Sequence, residues 1–193
     1  VKHGQANVYA EWLIERIKPT CIEAVIGGGL KRGKEDVHDI EIVCKPSGSS
    51  PRPEFGKKIY KTELDKVLDV LEVEGALFPV KGGEKYKQYR TGRWQEFGFA
   101  DPLNPFMVEF WIVTPPASWG VQLMIRTGPA EFSQYMVTQK YKGGALPNQY
   151  RVEKGAVWEG TRKIEIETEQ DYFDLCKMRY VEPSKRVALW SPR

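Results

Sequence analysis

Cysteine and histidine are scarce in this chain of 193 residues: it holds three cysteines and two histidines. Cys21, Cys44 and Cys176 are far apart and form no CxxC pair. That spacing excludes a disulfide framework and a structural zinc site, and predicts free thiols in a reducing compartment. No apolar run approaches the roughly 20 residues that cross a bilayer, and no charged-then-apolar signal segment opens the sequence. The expectation is a soluble, intracellular protein without a membrane partner. Net charge is also small, with 29 lysines and arginines against 26 acids. Bulk charge therefore does not imply nucleic-acid binding. Internal repeats and low-complexity tracts are lacking too.

What is present is the composition of an ordinary globular chain, 41% hydrophobic, long enough for one large domain or two small ones. Its cations cluster. Lys81, Lys85, Lys87, Arg90 and Arg93, then Lys140, Lys142, Arg151 and Lys154, interleave with Tyr86, Tyr89, Trp94, Tyr141 and Tyr150. Basic side chains beside aromatic rings suit a phosphate backbone next to stacking bases, and they suit solvated hairpin and helix faces as well.

Hydrophobic spacing predicts a helix over 6–17 with Val8, Trp12, Leu13 and Ile17 on its apolar face, stopped by Pro19. "CIEAVIGGG" reads as a strand entering a glycine turn, and "HDIEIVCK" as a strand that sends Asp39, Glu41 and Val43 to one side. A Pro/Gly/Ser-rich loop over 45–56 precedes a helix over 62–75. "KYKQYRTG", "RWQEFGFA" and "FMVEFWIV" predict a meander whose last strand carries Glu109. Pro115 and Pro116 mark a domain boundary, giving 1–116 and 117–193. Helices are expected beyond them at about 118–126, 130–141 and 169–179, with short strands between.

Carboxylates on apolar strands cost several kcal/mol if buried without a partner. If the Glu109 strand pairs beside that of Asp39 and Glu41, three oxygen donors converge where Mg²⁺ could sit and accept substrate phosphates. The turn at Gly28 and Gly29 allows close backbone approach by an anion, with Lys31 and Arg32 beside it. Metal and anion sites so close together fit a nucleoside triphosphate.

Strand, glycine turn, basic segment, acid pair and later third acid, in that order, resemble the nucleotidyltransferases, and among them the family X DNA polymerases of the beta type. Gly28-Gly29, Lys31-Arg32-Gly33, Asp39-Ile40-Glu41 and Glu109 stand where that family has its "GS" turn, "RRG" and three acids. "MIRTGPAEFSQYM" looks like the segment opening the family's thumb, with Thr127-Gly128 matching. "YVEPSKR" resembles its C-terminal Y-x-E-P-x-x-R ending.

The resemblance implies an α+β fold: a nucleotidyltransferase palm with a mixed or antiparallel sheet and helices, plus a small α/β thumb. It implies a minimal palm-and-thumb enzyme, of a kind some viruses carry. The implied reaction joins a nucleoside triphosphate to a primer 3′-hydroxyl, in gap-filling DNA repair. The implied cofactor is a pair of Mg²⁺ ions, with Mn²⁺ an alternative, on Asp39, Glu41 and Glu109. Nucleotide contacts would come from Gly28, Gly29, Arg32, Arg126, Thr127 and Gly128. The expected partners are gapped or primer-template DNA and a nucleoside triphosphate, with the protein a monomer. Action on RNA ends or on a protein, and a catalytically weakened DNA-binding module, are the alternatives.

The chain departs from the family at Glu41 and Glu109, where the family has aspartates, and at Gly29, where it has serine. Ile125-Arg126 replaces the aromatic pair that packs on the incoming sugar. Ser133 and Val137 stand where polar or basic groups read the minor groove.

Overall fold

The computed structural model describes residues 1–48, 62–84, 87–92 and 106–187. The chain divides into two compact units, Val1–Thr114 and Pro115–Arg193.

The first unit begins with α1 (His3–Ile17), β1 (Cys21–Ile26), the single turn α2 (Gly28–Lys31) and β2 (Asp39–Pro46). It continues through α3 (Glu63–Val73), β3 (Leu77–Pro79), β4 (Gln88–Thr91) and β5 (Met107–Ile112). The five strands form one sheet in the order β1-β2-β5-β4-β3. Only β2 and β5 run parallel; the other neighbouring pairs are antiparallel.

Alternation along β2 and β5 separates two faces. Ile40, Ile42, Cys44, Val108 and Phe110 are buried in one core with Tyr9, Leu13 and Ile17 of α1 and Leu64, Leu68 and Leu71 of α3. Asp39, Glu41, Glu109 and Trp111 belong to the other face. α3 is started by a capping box, in which Thr62 accepts from the Asp65 N–H and Asp65 from the Thr62 N–H.

One expectation changes here. The buried stripe of α1 is Ala6, Tyr9, Ala10, Leu13, Ile14 and Ile17, while Val8 is exposed. Small alanines let the helix lie close to the sheet, and the Tyr9 hydroxyl donates to the Ala76 carbonyl, so the stripe follows packing rather than the largest aliphatics. Among the described strands after α3, β3, β4 and β5 form an antiparallel meander in chain order. β5, its last strand, also pairs in parallel with β2 and so lies between β2 and β4. The strand expected over 93–100 lies outside the described residues, as does most of the loop over 45–56.

The second unit holds α4 (Trp119–Thr127), α5 (Ala130–Val137), β6 (Tyr150–Glu153), β7 (Ala156–Glu159), β8 (Arg162–Ile164) and α6 (Glu169–Leu175). Its three strands form an antiparallel sheet in chain order. Val121, Met124, Phe132, Met136, Leu146, Val157, Tyr172 and Phe173 are its core. α5 ends at Val137, with Lys140–Lys142 a separate 3-10 turn, and α6 ends at Leu175 rather than near 179, so both are shorter than their periodicity predicts. No helix among the described residues is long and apolar enough to cross a membrane. The architecture is mixed α+β, a five-stranded mixed sheet with helices, as the resemblance implies.

Candidate active site

The site is built on the pairing of β2 with β5. In their parallel register Asp39 faces Met107, Glu41 faces Glu109 and Val43 faces Trp111. Paired residues share a face, and neighbouring strands lie about 4.8 Å apart. Glu41 and Glu109 are therefore direct neighbours, with Asp39 two residues away on the same side. All three are half-buried.

Their row continues at both ends. The Gly27 N–H donates to the Glu41 carbonyl at 2.8 Å, and Gln88 of β4 stands opposite Glu109. Gln88 Nε2 donates to Glu109 Oε1 at 3.0 Å, and Trp111 Nε1 donates to Glu41 Oε1 at 3.2 Å. The backbones thus bring the three acids together. The side chains of Glu41 and Glu109 are turned to these separate donors, and among the described residues no three His, Cys, Asp or Glu side chains are grouped around one point that could hold a metal ion. A cavity of about 40 Å³ lies beside Glu109, lined by Glu84, Lys87, Gln88, Phe110 and Trp111.

The glycine turn is where the sequence puts it, but it is helical: Gly28–Lys31 make one turn, with Gly27 extended before it. Gly28 has φ of 58°, and a Cβ there would lie 2.0 Å from Glu41 Oε2. Glycine is needed at 28 for both backbone and space. Gly29 is different: its φ is not in the left-handed region, and an added Cβ would meet Lys34 Cδ at 3.3 Å. The first N–H groups of a helical turn have no acceptor within it. Lys31 is exposed and Arg32 half-buried at the end of that turn.

Arg126, Thr127 and Gly128 belong to the second unit. Arg126 is half-buried in the last turn of α4. Thr127 is 2% exposed, and its hydroxyl donates to the Leu123 carbonyl and bonds Glu169 Oε1, each at 2.6 Å, while accepting from Arg186 Nη1. Gly128 is buried where a Cβ would lie 2.7 Å from the Phe132 ring. Thr127-Gly128 therefore serves the interior of this unit, and so do Pro183 and Arg186 of the C-terminal "YVEPSKR". Arg186 is buried, pairs with Glu169 at 2.8 Å, donates from Nε to the Val181 carbonyl at 2.9 Å, and lies over the rings of Phe132, Phe173 and Tyr180. Burial, with the Glu169 charge beside it, raises the Tyr180 phenol above its ordinary pKa.

The basic and aromatic stretches separate by exposure. Tyr89 is fully buried, edge-on to Phe110 with ring centres 5.8 Å apart; it is a core residue and offers no stacking surface. Trp119 is buried as well. Tyr141 is 65% exposed beneath Lys142, and Lys140, Arg151 and Lys154 are exposed near it in sequence. Tyr150 is half-buried, and Lys85, Tyr86, Arg93 and Trp94 lie outside the described residues.

Gln88 and Trp111 did not stand out in the sequence. Trp111 follows Glu109 by two residues, so strand alternation alone puts it on the acidic face. Gln88 is found only through the register of β4 with β5.

No protein-family profile and no curated protein sequence matches the chain. Among solved structures it is similar to Leishmania infantum polymerase beta in a ternary P/T complex, with a TM-score of 0.66 and 15% identity, over 97% of this chain and 76% of that one. The chain has a polymerase beta-like fold.

Proposed function

We propose that this protein is a metal-dependent nucleotidyltransferase of the family X, polymerase beta type, extending a DNA primer by one nucleotide at a time in gap filling. The observation that carries the reading is Glu41 facing Glu109 across β2 and β5, with Asp39 two residues before it and the Gly28 turn at the end of the same row. The polymerase beta-like fold supports it.

The donors fit a hard divalent cation. They are carboxylate oxygens, with neither thiol nor imidazole among them, which favours Mg²⁺ or Mn²⁺ over zinc. Glutamate carries one more rotatable bond than aspartate, and side-chain torsion would have to turn Glu41 and Glu109 from Trp111 and Gln88 toward a common point. Asp39, Glu41 and Glu109 would hold a pair of such ions. Bound there, the ions would supply charge stabilisation at the phosphorus under attack and lower the pKa of the primer hydroxyl.

The remaining work falls to the chain. The Gly28-Gly29 turn and Arg32 would take the triphosphate. Glu109, beside a cavity large enough for water, would accept the proton of the 3′-hydroxyl. Attack on the α-phosphorus forms the new P–O bond and expels pyrophosphate, which leaves catalysis mostly to positioning and electrostatics. Exposed Lys140, Lys142, Arg151 and Lys154 would hold the duplex through phosphates, without reading sequence. The working form is a monomer.

The test is nucleotide incorporation on a one-nucleotide gap by the wild type and Asp39→Ala, with dNTP and rNTP in parallel and with single-stranded RNA as a second acceptor. Activity on the gap that Asp39→Ala abolishes is expected. Equal activity in the two proteins would end the proposal, and extension of RNA alone would transfer it to an RNA-end nucleotidyltransferase.

A further inference from the structure

We propose that the outer edge of β1, beside α1, is a docking groove for an extended segment of another protein, one that alternates lysine or arginine with small apolar residues and joins the sheet as a further strand.

Among the described strands β1 pairs with β2 alone and ends the five-stranded sheet. The Gly27 N–H donates to the Glu41 carbonyl at 2.8 Å, and along an antiparallel pair bonded and non-bonded partners alternate. By that alternation Val25 exchanges hydrogen bonds with Val43, while the N–H and C=O groups of Ala24 and Ile26 point away from β2. An outer strand is ordinarily blunted by lysine, proline or a bulge. β1 contains neither lysine nor proline, and its irregularity lies between Cys21 and Glu23, ahead of the two residues that face outward. Ile22 is 61% exposed.

A groove of about 460 Å³ lies between this edge and α1. Its helical wall is Glu11, Ile14, Glu15 and Lys18, spaced three and four residues apart and so on one side of the helix. Ile14 is buried, with Glu11 and Glu15 exposed on either side of it in that row. Lys18 and Lys31 also line the groove, before and after β1 in the chain. The pair of Glu15 with Lys18 spans 3.6 Å between largely exposed side chains, so water screens it and an incoming cation can replace it.

These features select the occupant. Main-chain hydrogen bonds to Ala24 and Ile26 would hold an extended segment, and its alternate side chains would give selectivity. On the side facing α1, lysine or arginine would lay its aliphatic stem over Ile14 and bring its charge to Glu11 and Glu15. A nucleic acid would meet the same carboxylates with phosphates of like charge.

The probes are short synthetic peptides, capped at both ends, that alternate lysine with valine or glutamate with valine. Binding is read by anisotropy of the labelled peptide, and amide hydrogen exchange by NMR. The lysine peptide is expected to bind about 10-fold more tightly than the glutamate peptide. It should slow exchange at Ala24 and Ile26, which exchange fast in the free protein, and leave Val25 as it was. Ala24→Pro removes one outward N–H, a change that a sheet edge tolerates, and should abolish the added protection at Ile26. Glu11→Lys combined with Glu15→Lys, on the exposed surface of α1, should weaken the lysine peptide about 10-fold with thermal unfolding unchanged, a readout that stands even if the proline variant fails to fold. No binding, equal affinity for the two peptides, or binding without protection at Ala24 and Ile26 would each overturn the proposal. A concentration-dependent dimer that Ala24→Pro dissolves would overturn it as well, by giving the edge to a second copy of the chain.

Discussion

Glu41 rests its carboxylate on the backbone of Gly28: a Cβ at position 28 would lie 2.0 Å from Glu41 Oε2, at a backbone φ of 58°. Gly28→Ala therefore forces a left-handed alanine, costing about 1–2 kcal/mol, and drives Glu41 off its place. Nucleotide incorporation should fall by about 100-fold, the scale expected when a reacting group is displaced by an ångström. Gly29→Ser should fold and act as the wild type does, because the contact at 29 is the flexible Lys34 side chain at 3.3 Å. Thermal unfolding and a gap-filling assay on the two variants check the contrast.

In the second unit, Arg186 is the residue whose loss should matter most to stability. Its guanidinium is buried between three rings and bonded to Glu169, Thr127 and the Val181 carbonyl. Removing one partner of a buried pair leaves the other charge uncompensated, at about 3–5 kcal/mol. Arg186→Met and Glu169→Gln should each lower the denaturation midpoint sharply. The double variant should lose less than the sum of the two. Additive losses in a double-mutant cycle would contradict the pairing.

The N-terminus of α6 carries a pH signature. Asp171 is held below the ordinary aspartate pKa of 3.8, chiefly by the Thr168 N–H, then by the Thr168 hydroxyl and the Glu167 N–H. A carboxyl depressed in the folded state contributes stability that is fully present above its unfolded pKa and lost as pH falls through the folded value. Thr168→Ala should cost about 1 kcal/mol at neutral pH and reduce the acid-side loss below pH 4. Urea titrations at pH 7 and pH 3 measure both effects.

Thiol labelling should separate the three cysteines. Cys176 is buried, and burial pushes its thiol up to about 12. Cys44 is fully buried. Cys21 is half-buried, and its pKa is lowered, first by the hydrogen bond from Cys44 and then by Thr20, against the opposing effect of desolvation. Maleimide at pH 8 should modify Cys21 first in the native protein, as peptide mapping would show. Faster labelling at Cys176 would mean that the core around Phe173 opens.

Much of the architecture could be read in the residues, for local reasons. α1, β2, α3 and α4 follow apolar spacing, Thr62 and Asp65 form a cap at short range, and Asp39 and Glu41 share a side because a strand repeats every two residues. Less could be read where partners are distant in sequence. The order of β2, β5 and β4, the burial of Tyr89, and the engagement of Thr127 by Glu169 and Arg186 all depend on chain segments tens of residues apart. The short ends of α5 and α6 also escaped, since periodicity persists past the point where the backbone turns.

By itself the sequence determined the facing of individual side chains: acids to one side of β2, aliphatics to the other, and a glycine turn just ahead. Those follow from bond geometry and from the cost of burying charge, which act over a few residues. Only the tertiary structure decided that Glu109 stands beside Glu41 and that Gln88 and Trp111 supply their hydrogen bonds. It also decided that Arg186 closes the second core. Such pairings depend on register and packing between remote segments, and no local rule specifies them.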